Sequence, residues 1–90
     1  MANEAEGRKI ADDLKNQYGK LLEARCESKS PWKIVLVFSS GTWEVPSNFI
    51  FKFGYSGSGV DCFHAFLEHS GFNMPKASLQ NAEEGAVFRA

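Results

Sequence analysis

One short stretch gathers most of the residues able to do chemistry: Ser56, Ser58, Asp61, Cys62, His64, Glu68 and His69. Cys62 is the sharpest candidate. It falls one turn inside a segment with helical periodicity, where free amides and the helix dipole favour a thiolate. A nucleophile also needs a base within about 3 Å. His64 is the nearest imidazole in sequence, but two residues along a helix it points to a different side. His64 and Glu68 at i and i+4, with Asp61 one turn earlier, make at most a weak metal site, since a structural site shows four ligands at recognisable spacing. The run Gly54 to Gly59 could cradle a phosphate at the helix start. It has neither the Walker lysine nor the dinucleotide order of glycines, and Asp61 would repel an anion. Packed thiols, solvated histidines and a structural strand-to-helix turn are the plain readings, and no metal or cofactor is expected.

The elements that must hold these residues are written on both sides of the glycines. Phe49, Phe51 and Phe53 recur at period two, which puts them on one face of a strand with Ile50 and Lys52 on the other. Gly54, Gly57 and Gly59 then let the chain turn sharply. Ser58 to Asp61 reads as a capping box, with Asp61 as a shorter stand-in for glutamate. Val60, Phe63, Phe66, Leu67 and Ser70 follow the 3.6-residue period, and Gly71 stands where a left-handed stop belongs, so a helix is predicted over about 59 to 70.

Gly59-Val60-Asp61-Cys62, an amphipathic helix, Gly71 and then Met74-Pro75 together resemble the nucleophile segment of NlpC-type cell-wall cysteine peptidases. The resemblance implies a thiol hydrolase with Cys62 as nucleophile. The family places Ser-Gly after its cysteine, where this chain has Phe63-His64. It also draws its base from a later strand, and no histidine follows His69 here.

Along the rest of the chain, Ala11, Leu14, Tyr18, Leu21 and Arg25 alternate three and four apart, predicting a helix over residues 4 to 27. Gly7 and Gly19 each cost it about 1 kcal/mol relative to alanine, so fraying is expected at the first and a bend at the second. Pro31 ends the helix. Trp32 to Phe38 is nearly all apolar and β-branched, hence a strand with both faces at least partly covered. Ser39-Ser40-Gly41 turns into a second strand over 42 to 45, and the Phe49 to Phe53 run is the third. Ser78 to Glu84 reads as one or two helical turns, and Ala86 to Phe88 as a short edge strand. The fold class is therefore α+β over a single domain, residues 1 to 90: a long N-terminal helix, a three-stranded antiparallel meander, a second helix on the sheet, and a tail that adds an edge strand.

Ten basic residues against eleven acidic, net charge -1, disfavour nucleic acid, which needs several cations on one face. No apolar run in residues 1 to 20 suggests a leader, no segment approaches a membrane span, and two cysteines are too few for a disulfide scaffold. A cytoplasmic protein is expected. Eight phenylalanines and two tryptophans are a heavy apolar load for 90 residues, and two one-striped helices cover one sheet face. A monomer would leave an apolar patch of several hundred Å2. The expected function is accordingly a small non-enzymatic binding or protein-interaction domain acting as a homodimer, with Trp32, Trp43, Phe49, Phe51, Phe53 and Tyr55 as ligand or interface candidates. The rivals are the Cys62 hydrolase, with Ser56, Ser58 and His64 around it, and a small-ligand carrier with an aromatic pocket.

Overall fold

A computed structural model describes residues 3 to 90. Met1 and Ala2, the first two residues of the predicted domain, lie outside the described residues. The architecture is α+β. The N-terminal helix α1 spans Glu4–Tyr18, and three antiparallel strands follow, β1 (Leu21–Lys29), β2 (Trp32–Phe38) and β3 (Gly41–Val45). Helix α2 (Ser58–His69), a short α3 (Lys76–Gln80) and strand β4 (Ala86–Arg89) complete it. The sheet order is β3-β2-β1-β4, so the tail supplies the edge strand beside β1.

The predicted N-terminal helix is cut nine residues short of residue 27. Asn3 caps its start by accepting the Glu6 amide at 2.8 Å, and Gly19, at φ 87°, closes it with its amide on the Lys15 carbonyl. Leu21 to Arg25 then pairs with β2. None of those five residues is β-branched, and all are good helix formers, so local propensity pointed to helix while strand pairing decided otherwise. An irregularity between Leu21 and Glu23 displaces the alternation by one residue. That displacement is why Leu21, Ala24 and Cys26 face the core at a spacing that imitates a helix. Arg25, assigned to the buried stripe by the helical reading, is exposed on the open face.

The meander is thus built one segment earlier than the sequence suggests, and Phe49 to Phe53 is not a strand. The period-two facing survives without a ladder: Phe51 and Phe53 are buried and Phe49 half-buried. This segment is a strap across the interior. Its Lys52 amide reaches the Gly59 carbonyl and its Gly54 amide donates to the Leu79 carbonyl at 2.9 Å. A Cβ on Gly59 would stand 2.7 Å from the Ile50 carbonyl oxygen, so the strap lies directly on the start of α2.

Helix α2 is the centre of the molecule. Val60, Cys62, Phe63, Phe66 and Leu67 are wholly buried between α1, the strap and the sheet. The capping box does not form: Gly57 is the N-cap, no side chain caps the helix, and Asp61 instead pairs with Lys76 at 3.2 Å. The other end is as the sequence predicts. Gly71 at φ 100° donates to Glu68, and Phe72 donates to Leu67 at 2.9 Å while its ring is buried, which is the Schellman arrangement. Nothing lies within 4 Å of a Cβ built on Gly71. Gly71→Ala should therefore cost only the left-handed backbone penalty, about 1 kcal/mol; equal urea midpoints for the two proteins would contradict that assignment.

Candidate functional site

The aromatic candidates form two connected groups. Phe51 stacks on Phe63 at 4.7 Å between ring centroids and leans on Phe66 at 4.9 Å; Phe49 meets Phe51 at 5.0 Å edge-on and Trp43 at 5.4 Å. Separately, Trp32 packs edge-on to Phe53 at 5.4 Å and lies 6.3 Å from Tyr55, with the Lys52 ammonium 5.1 Å above its ring. These rings are in mutual contact, and contacts of this kind are favourable beyond their burial. Six of the eight phenylalanines are buried and Phe49 and Phe88 pack against the same core. Most of the aromatic load is thus internal, and of the ligand or interface candidates Phe51 and Phe53 are buried and Phe49 half-buried. Tyr55 alone among the aromatic candidates is largely exposed, at 46%.

Residues expected around the thiol do not converge. Ser56 is exposed in the turn before α2, and Ser58 is exposed as the first residue of α2. The Cys62 side chain is wholly buried, and its backbone carbonyl lies against α1, where a Cβ on Gly7 would overlap the oxygen. Burial, assisted by the charge of Glu6, pushes the Cys62 thiol up to about 11, and burial alone pushes Cys26 up to about 12. A nucleophile needs the opposite shift and an open sulfur, so both thiols act as small apolar residues. His64 is only 5% exposed and points elsewhere, its Nε2–H donating to the Met74 carbonyl at 2.8 Å. That bond fixes the tautomer and ties residues 73 to 75 onto α2. Nδ1 faces Glu68 at 3.6 Å. No group of three metal-ligating side chains is found among the described residues.

Two features of the surface were not visible in the sequence. The first is the open face of the sheet, where register sets Glu44, Val35, Arg25 and Val87 in one row and Thr42, Val37, Glu23 and Arg89 in the next. Arg25 and Arg89 both bond the Glu23 carboxylate, which holds it below the usual carboxylate range. Lys33 lies 3.6 Å from Glu27 and 3.9 Å from Glu44. The second is a cleft of about 260 Å3 on the opposite side, at the C-terminal ends of α1 and α2. Ala11, Leu21 and Phe38 contribute its apolar wall, and Asp12, Lys15, Lys20 and His69 its polar rim. Across the rim the His69 Nε2–H donates to Asp12 at 3.0 Å. No motif marks these residues, because Asp12 and His69, 57 positions apart, are brought together only when the chain folds back.

No family model matches the chain, and no curated protein and no solved structure is significantly similar to it. No helix among the described residues is long and apolar enough to cross a membrane.

Proposed function

We propose that the chain is a small non-enzymatic interaction domain that pairs with a second copy of itself through the open face of its sheet. One observation carries this reading: an apolar cluster on the open face, set among charges that are already paired within the chain, Arg25 and Arg89 with Glu23 and Lys33 with Glu27 and Glu44. Val35 and Val37 lie on the central strand β2, while Val87, 40% exposed, and Leu22, 44% exposed, flank them on β4 and β1. Arg25 and Arg89 sit on the β1 and β4 side and Glu44 on the β3 side. A two-fold axis lying along the strands sets the arginine side of each copy over the Glu44 side of the other and stacks valine on valine. Such an isologous contact needs one self-complementary patch. Both cysteines are free and buried, which suits a reducing compartment, and we place the domain in the cytoplasm.

Sedimentation velocity at micromolar concentration tests the pairing. A species of twice the 10.0 kDa chain mass is expected, and Val37→Asp should weaken association by about 100-fold or more, because the carboxylates would meet unpaired near the axis. A single 10.0 kDa species in the unmodified protein sinks the proposal.

A further inference from the structure

Neither Lys15 nor Lys20 has an ion-pair partner among the described residues, although both line the cleft at the helix ends. Asp12, the acid on the same rim, is engaged by His69 at 3.0 Å. The helix ends themselves contribute little competing negative charge, because caps occupy their carbonyls. Gly19 donates to Lys15, Ser40 to Tyr18, Gly71 to Glu68 and Phe72 to Leu67. What the cleft presents is thus two lysines with no ion-pair partner among the described residues and one carboxylate hydrogen-bonded to His69, beside the nearly buried edges of Ala11, Leu21 and Phe38. Phe38 is held in place by stacking on Tyr18 at 5.3 Å.

We propose that this cleft is a binding site for a small organic carboxylate with a compact ring or branched apolar body. The carboxylate sits between Lys15 and Lys20, where charge-assisted hydrogen bonds are strongest. Its compact apolar body lies in the cleft against the edges that Phe38 and Leu21 leave open. A volume of about 260 Å3 lies just under the usual range for small-molecule pockets, so the ligand is small. The cleft lies on the helix-covered side of the sheet, away from the valine face, so pairing and ligand binding stand or fall separately.

The experiment is an amide NMR titration of the full chain with three probes: benzoate, benzyl alcohol and inorganic phosphate. Benzoate is expected to give saturable shifts at Gly19, Lys20, Leu21 and Ser70, with a dissociation constant of about 1 mM. Benzyl alcohol, which lacks the charge, and phosphate, which lacks the ring, should each bind about tenfold more weakly or worse. Lys15→Gln with Lys20→Gln should cost benzoate a similar factor while leaving the remaining spectrum in place. Absence of saturable shifts with benzoate overturns the proposal. So does equal affinity for either of the other probes, or undiminished affinity in the double variant; the three-probe comparison on the unmodified chain stands whether or not that variant folds.

Discussion

Gly7→Ala is expected to destabilise the fold by about 2 kcal/mol or more, although alanine is the better helix former. In an exposed helix the exchange would add about 1 kcal/mol of stability. Here Gly7 is buried where α1 crosses α2. A Cβ would overlap the Cys62 carbonyl oxygen and stand 3.1 Å from both the Cys62 carbonyl carbon and the Phe66 amide nitrogen. All three are backbone atoms in the middle of a helix, so no rotamer change relieves the clash. The two helices must separate, and forced overpacking costs about 1–3 kcal/mol, occasionally more. Because the propensity and packing terms have opposite signs, the sign of the change in a urea titration is decisive. A stabilised variant would mean that α1 and α2 do not approach closely at this point.

Phe51→Ala should cost about 3–5 kcal/mol, the range for removing a buried phenylalanine. Phe51 belongs to no strand or helix, and an aromatic residue on an exposed loop would be worth less than about 0.5 kcal/mol. It is instead 1% exposed and stacked between Phe63, Phe66 and Phe49. Truncation empties the junction of strap, helix and sheet, and the rings around it are too large to collapse into the gap. Against a total stability of roughly 5–15 kcal/mol for a domain of this kind, the variant should be close to unfolding at physiological temperature. A shift in urea midpoint of the size seen for a surface residue would show that the strap is not part of the core.

The α+β class was legible because its strongest signals are local. Trp32 to Phe38 is apolar and β-branched enough to be a strand in any surroundings, and its partner across Ser39-Ser40 follows from the turn. Gly71 and Phe72 mark the end of α2 because only a residue tolerant of positive φ can stop a helix there. Where the reading failed, two local signals agreed on the wrong answer. Leu21 to Arg25 combines helix-forming residues with a spacing of three and four, and a β-irregularity produces the same spacing in a strand. Phe49, Phe51 and Phe53 alternate as a strand does, but period two requires only an extended chain. Whether a ladder forms depends on where the rest of the fold holds the segment, and here the Lys52 and Gly54 amides bond Gly59 and Leu79 on the helices while the outer edge of β3 stays unpaired among the described residues.

The candidate sites divide along the same line. Residue types alone showed that the base which NlpC-type peptidases draw from a later strand has no counterpart here, since no histidine follows His69. That the Cys62 side chain is wholly buried came from the packing of α2 at the centre of the molecule. The paired charges of the open face depend on the register that sets Glu23 opposite Arg89 and places Val35 between Arg25 and Glu44. The cleft depends on two helix ends stopping side by side, so that Lys15 and Lys20 face His69 across a gap. Sequence by itself determined which segments are apolar and where the chain can turn, because both are properties of neighbouring residues. Which of those segments pair, which faces meet solvent and which distant charges converge were decided only in three dimensions, since each depends on what the rest of the chain has already buried.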